Sequence, residues 1–169
     1  MDNPSKDYED LMYSNFANSE FQEALNNSLL YLQHNSTTLE ILLLQSRCYN
    51  QLGEILNSLK KYQEIIELYP NCKDAYLELS VIFYKIGNYK IVIPLLVKAI
   101  SLGHSENICL EIIADCYFHM SQFDQAANIF IKAIDFSEHK QLVYRNIAEC
   151  YLHLGNDDLA DKYLDLADA

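Results

Sequence analysis

Glycine and proline are scarce in this chain, which has only 4 glycines and 3 prolines in 169 residues. Sheet proteins need these residues at their many tight turns, so the scarcity favours long helices joined by short connections. No stretch approaches the 18 or more consecutive apolar residues of a membrane span. The first ten residues are acidic and contain no apolar run, so we expect no signal peptide. Half of the residues are hydrophobic, which is enough to bury a core.

Basic side chains are also few, with 12 Lys and Arg against 24 Asp and Glu and a formal net charge of −12. A surface of this charge repels phosphate backbones, so we expect no nucleic-acid partner and favour a basic protein segment instead.

The five cysteines are odd in number, and Cys48, Cys116 and Cys150 recur at one spacing. This pattern predicts small buried core residues in a reducing compartment, cytoplasmic or nuclear, rather than a disulfide framework.

Catalytic motifs are missing. The chain has no glycine-rich phosphate loop, no Gly-x-Ser-x-Gly elbow and no His-Glu-x-x-His. Asp115 with His119, and Glu149 with His153, form two i, i+4 pairs of residue types that bind metals. Solvated acid–histidine pairs that stabilise their own helices are the preferred interpretation. We therefore expect no enzyme activity, no cofactor and no metal site.

A period of 34 residues runs through the chain from Ser5 without a gap. Position 15 of each unit holds glycine or serine, as Ser19, Gly53, Gly87, Ser121 and Gly155. Position 11 is aromatic in four units, as Tyr49, Phe83, Tyr117 and Tyr151. A sustained period of this length indicates a repeat architecture.

Each unit has the pattern of two helices joined by a turn. In the third unit, apolar and small residues recur at i, i+3, i+4 and i+7 on either side of Gly87, as Tyr76, Leu79, Ser80 and Phe83, then Val92, Leu96 and Ala99. Gly87 is expected to end the first helix and Asn88 to cap the second. Pro94 should kink or delay that second helix. Ten main helices follow from five such units.

These residues resemble the tetratricopeptide-repeat family, whose pattern has large, apolar, small and aromatic residues at positions 4, 7, 8 and 11 and small or bulky ones at 20, 24 and 27. The resemblance implies an all-α fold, a right-handed superhelical solenoid of about five helix-turn-helix repeats of 34 residues. We expect a single array over residues 1–169. Its repeats would be 5–38, 39–72, 73–106, 107–140 and 141–169, the first divergent and the last incomplete. The first has Ser28 where a bulky residue belongs.

The face of each first helix that opposes the core lies at positions 2, 6, 9 and 13. The resemblance implies that this face lines a concave groove that binds a peptide or helix. The candidate peptide-binding residues are Glu40, Leu44, Asp74, Glu78, Val81, Ile108, Ile112, Leu142 and Asn146. Units two and three are acidic there, whereas units four and five are apolar. The hypothesis is a protein ligand with apolar anchors and a basic flank.

Cochaperones of this family hold acidic chaperone C-termini with a carboxylate clamp. The five clamp positions here are Lys6, Asp10, Leu44, Asp74 and Glu78, of which three are carboxylates that would repel such a ligand. An alternative hypothesis concerns the last unit, where we expect a set of apolar residues to lack a covering helix, namely Leu159, Tyr163, Leu164 and Leu166. The chain would then be a structural subunit or a fragment of a larger assembly, including the N-terminal arm of a repeat-bearing enzyme. It would self-associate or dock through this end.

Overall fold

The structure, a computed structural model, describes residues 4–169, and within them it contains ten helices and no strand. The helices are α1 Pro4–Ala17, α2 Phe21–Leu32, α3 Leu39–Gln51, α4 Ile55–Leu68, α5 Lys73–Lys85, α6 Tyr89–Ser101, α7 Glu106–His119, α8 Phe123–Ala133, α9 Lys140–His153 and α10 Asp157–Asp168. The predicted all-α class and the helix-turn-helix pattern are confirmed. Among the described helices, none combines the length and apolar character that crossing a bilayer requires.

The turn inside each helix pair has the same geometry. Gly87 has a φ of 77°, and its N–H donates to the carbonyl of Tyr84 at 2.9 Å. The next N–H, of Asn88, donates to the carbonyl of Phe83 at 2.9 Å, which satisfies a second carbonyl group at the C-terminal end of the helix. The predicted side-chain cap by Asn88 is wrong, because its side chain makes no capping hydrogen bond. Ser19 and Ser121 adopt the same left-handed conformation, with φ of 65° and 59°.

Pro94 was predicted to kink or delay its helix; the delay is wrong, and the kink stays a prediction. Helix α6 begins at Tyr89, position 17 of its unit, as the second helices of the other units do, and Pro94 lies inside it. Proline at the sixth helical residue removes one backbone hydrogen bond, to the carbonyl of Lys90. Lys90 is solvent-exposed, so water can satisfy that carbonyl.

The chain divides into two compact units, one ending at Ala75 and the other spanning Tyr76–Ala169. The division into 34-residue repeats with the boundaries given above stays a prediction. In the first unit, α1, α2 and α3 pack around a core cluster of Met12, Ala24, Leu25, Ile41, Leu44 and Cys48. Phe16 and Phe21 cover it, with ring centroids 5.6 Å apart in an edge-to-face arrangement.

The second unit has its own core cluster, built from α7, α8 and α9. Its buried members are Ala114, Ala126, Ala127, Phe130, Val143, Ile147 and Cys150. The aromatic residues at position 11, Tyr117 and Tyr151, pack against this cluster but are only half-buried, so they lie at the rim of the core. All five cysteines are free, and Cys48, Cys116 and Cys150 are buried, as predicted.

Candidate functional site

An apolar pocket, called here the first-unit pocket, lies between α1 and α3. It has a volume of about 230 Å³ and is lined by Tyr13, Phe16, Glu40, Leu43, Leu44 and Arg47. Glu40 and Leu44 were predicted as groove residues, and the structure brings them together here. Leu44 is only 4% exposed, so its place on an open face is corrected: it belongs to the core cluster and forms the floor.

Glu40 is the negative group of this pocket. It follows Thr38, whose hydroxyl accepts from the N–H of Ile41 at 3.4 Å and so caps α3. The pKa of the Glu40 carboxyl is lowered by its own backbone N–H and by the Thr38 hydroxyl, so the group is ionised at neutral pH. The pKa of Tyr13 is raised, first by burial and then by the charges of Glu9 and Glu40. The negative charges of Glu9 and Glu40 are therefore both felt at Tyr13, on one side of the pocket.

Three further predicted site residues lie on α5. Asp74 is exposed and belongs to the first unit, whereas Glu78 and Val81 are half-buried and belong to the second. Both carboxylates already take part in interactions within the structure. The idea that all nine candidate residues line one continuous groove stays a prediction.

The second unit carries an apolar strip on α7 and α9. Ile108 is 48% exposed on α7 and Leu142 is 57% exposed on α9, both at position 2 of their repeats. Exposed apolar side chains at equivalent positions of neighbouring repeats are candidates for a shared interaction surface. Their partners one turn later, Ile112 and Asn146, are half-buried.

A depression, called here the second-unit cavity, lies beside this strip. It has a volume of about 260 Å³ and is lined by Glu111, Ile112, Asp115, Phe130 and Asn146. A smaller cavity of about 50 Å³ shares three of these residues and adds Phe118 and Glu149. The structure thus unites the predicted Ile112 and Asn146, and surrounds them with three carboxylates on an aromatic floor.

Asp115 is held in place by a neighbouring tyrosine. The hydroxyl of Tyr84 donates a short hydrogen bond to Oδ2 of Asp115, and Nε2 of His119 lies 3.6 Å from the same oxygen. Burial, followed by the bond to Asp115, raises the pKa of Tyr84, so its hydroxyl stays protonated and keeps donating. His119 also stacks on Tyr89, with ring centroids 4.9 Å apart.

The histidines of the two acid–histidine pairs take part in an aromatic packing pattern. His153 stacks on Phe123 with centroids 4.3 Å apart, as His119 stacks on Tyr89 one unit earlier. In both cases the histidine at position 13 covers the aromatic residue at position 17 of the preceding unit. Within residues 4–169, no group of three or more His, Cys, Asp or Glu side chains is placed to hold a metal ion.

Sequence reasoning missed several residues of the two sites. Phe130 is a buried core residue of α8, and it also lines the second-unit cavity. Phe16, Leu43 and Glu111 lie at positions 12 and 5, outside the four positions that were assigned to the groove. The signal that could have revealed them is the pairing of adjacent first helices, whose facing flanks line the space between them.

Comparisons with known proteins agree with this architecture. A family model described as Tetratricopeptide repeat matches residues 40–71, which confirms the resemblance drawn from the sequence. No curated protein sequence matches the chain.

Solved structures of MamA proteins share the fold. One crystal structure of MamA is 21% identical, covers 96% of this chain and 89% of its own, and superposes with a TM-score of 0.84. MamA from residue 41 to its end, from Desulfovibrio magneticus RS-1, is 16% identical. The match covers 99% of this chain and 94% of that MamA chain, with a TM-score of 0.84. A third, MamA MSR-1 C2, is 19% identical, with coverages of 99% and 96% and a TM-score of 0.80.

Proposed function

We propose that this chain, which resembles tetratricopeptide-repeat proteins in its helix-turn-helix fold, is a protein-interaction scaffold that binds a peptide or helix with apolar anchors and a basic flank. The observation that carries the proposal is the pairing of exposed Ile108 and Leu142 with the second-unit cavity beside them. Apolar ligand side chains would cover the strip, because each buried one contributes about 1.5–3 kcal/mol before ordering costs.

The basic flank is supported by the carboxylates around the same cavity. Glu111 and Asp115 line it, and Glu149 lines the smaller cavity next to it. A Lys or Arg of the ligand would lay its apolar stem along Phe130 and place its charged head among these carboxylates. The same carboxylates would repel an acidic C-terminus, so the proposed partner is not one of the acidic chaperone tails.

The proposal includes a cytoplasmic or nuclear location and no catalytic role. The location is supported by five free cysteines, since disulfides are rare in reducing compartments.

The proposal is tested by partner capture with site variants. A partner is first captured with the wild-type chain, identified by mass spectrometry, purified, and its Kd measured by titration calorimetry. Ile108→Asp combined with Leu142→Asp should weaken that Kd by about tenfold or more. Val97→Asp is the matched control, because Val97 is a 54% exposed apolar residue of the same unit outside the strip. Equal binding by the site variant and the control would reject this site.

A second candidate function is supported by α10. Leu164 and Leu166 are 39% and 41% exposed there, beside Asp161 and Asp165. In this alternative the chain is a structural subunit that self-associates or docks through its last helix. Light scattering at tens of micromolar decides the self-association part, because an association that Leu164→Lys abolishes would favour it and a monomer would oppose it.

A further inference from the structure

We propose that the first-unit pocket is a separate binding site, which receives one bulky apolar side chain of a partner segment that carries a Lys or Arg next to it. The proposal rests on the proposed function only in taking the ligand to be a protein segment. It changes the expected roles of two predicted groove residues, because the sequence placed Glu40 in an acidic zone and Leu44 on the open face of the same groove.

The shape of the pocket suits a single side chain. Its volume of about 230 Å³ is below the range of roughly 300–1,000 Å³ that is usual for whole small-molecule ligands. Leu44 forms the floor and is packed in the core cluster with Met12 and Ile41, so the floor is rigid. Tyr13 and Phe16 supply aromatic walls from α1, and Leu43 completes the lining from α3.

The negative charge at the rim of the pocket favours a ligand with a Lys or Arg next to its apolar side chain. Glu40 is ionised, and it acts on the Tyr13 phenol together with Glu9, so the tyrosine side of the rim is negative. Arg47 lies seven residues after Glu40 on α3, about 10 Å further along the helix axis, and already has a partner within the structure. A cation beside the apolar side chain therefore complements the rim near Glu40.

A second copy of this chain is a poor occupant. The chain has a formal net charge of −12, so two copies repel each other, and a negative rim adds to that repulsion.

The test uses the full chain with ¹³C-labelled leucine methyl groups and small named probes observed by NMR. The probes are the N-acetylated dipeptide amides Leu-Lys, Ala-Lys and Leu-Glu, each titrated to about 50 mM, where a single buried side chain is still detectable. Leu-Lys should shift the methyl signals of Leu43 and Leu44. Ala-Lys should bind at least about tenfold more weakly, because it buries far less apolar surface. Leu-Glu should bind about threefold more weakly at low salt, and the difference should shrink in high salt.

Two variants separate the pocket from general effects. Leu43→Arg places a long charged side chain in the pocket and should abolish the Leu-Lys shifts. Leu77→Arg is its matched control, since Leu77 is equally half-buried at the same position of the next repeat. Glu40→Gln should leave the fold intact and make the difference between Leu-Lys and Leu-Glu binding smaller, with Glu9 supplying the difference that remains.

Any of three NMR results would overturn the proposal: no shift with Leu-Lys at the highest concentration, equal binding of Ala-Lys and Leu-Lys, or unchanged Leu-Lys binding by Leu43→Arg. A failure of the second-unit site is distinguishable, because Ile112→Asp should leave the Leu-Lys shifts in the first unit unchanged. Association of the chain with itself through this pocket would also count against it, and light scattering of Leu43→Arg beside the wild type detects that case.

Discussion

Gln45 donates a hydrogen bond from Nε2 to the hydroxyl of Ser28 at 3.0 Å, and both side chains are buried in the core of the first unit. Ser28 in turn donates to the carbonyl of Leu25 at 2.7 Å. The Oε1 atom of Gln45 has no hydrogen-bond partner among the described residues. This polar pair occupies two sites that the repeat pattern reserves for apolar residues, so the two departures from the pattern compensate each other.

The hydrogen bond between Gln45 and Ser28 predicts that substitutions at these two residues have non-additive effects on the free energy of unfolding. Ser28→Ala should lower the free energy of unfolding by about 1–3 kcal/mol, because it leaves the buried Gln45 amide without any partner. Ser28→Ala combined with Gln45→Leu should recover most of that loss, since no buried polar group remains unpaired. Urea unfolding of both single variants and the double variant measures the coupling. Additive losses would show that the hydrogen bond contributes nothing.

The turn predicts a stabilising substitution. Ser121 has a φ of 59°, a left-handed conformation that costs a non-glycine residue about 1–2 kcal/mol. Ser121→Gly removes that strain but adds backbone entropy to the unfolded chain, so the net gain should be about 0.5–1 kcal/mol. The melting temperature should rise by a few degrees. The reverse change, Gly155→Ser, has the same geometry with a φ of 69° and should lower it.

The sequence predicted the repeat architecture well because period and residue size act at many positions at once. The burial of Cys48, Cys116 and Cys150 followed from their shared spacing, and the structure confirms it. The half-burial of Tyr151 did not follow, because an aromatic residue at position 11 can stack on a neighbour instead of filling the core. Its ring stacks on Tyr163 with centroids 5.7 Å apart.

The sites were harder to predict than the fold for a physical reason. A binding pocket between two helices depends on their separation, which single-helix periodicity does not contain. Leu44 was assigned to the open face of α3, yet it is packed in the core cluster and lines a pocket that Phe16 from α1 joins only in three dimensions. Equally, the link between Tyr84 and Asp115 joins residues 31 apart in different repeats.

The buried cysteines predict a pattern of thiol reactivity. Burial raises the pKa of Cys116 and of Cys150 to about 12, and that of Cys48 and Cys109 to about 11. Cys72 is half-exposed, so one thiol of five should react quickly with a disulfide reagent in the native protein and five should react after denaturation. Cys72→Ser should remove the fast phase, and a fast phase of several thiols would contradict the burial.

The same pKa shifts determine the sign of the pH dependence of stability. A thiol whose folded pKa is raised above the unfolded value of 9.0 stabilises the fold fully below pH 9. Above pH 9 the unfolded chain loses these protons while the folded protein keeps them, so stability falls as the pH rises toward 12. The urea midpoint of unfolding should therefore be lower at pH 10 than at pH 8. Changing Cys116 to Ala should make this difference smaller.

The carboxylates of the second-unit cavity predict a kinetic effect on partner binding that differs from that of the apolar strip. Glu111 and Glu149 attract a basic ligand at a distance, so Glu111→Gln with Glu149→Gln should mainly slow association and flatten its salt dependence. Ile112→Ala removes apolar contact that exists only in the complex, so it should mainly speed dissociation at any salt concentration. Surface plasmon resonance with the captured partner at low and high salt separates the two rates.

Asp124→Asn is a suitable control, because Asp124 is an exposed carboxylate on α8 that lines neither cavity of the second unit. If the paired glutamine variant and this control slowed association equally, the attraction would come from the overall charge of the chain, and the basic flank would have no specific receptor at the cavity.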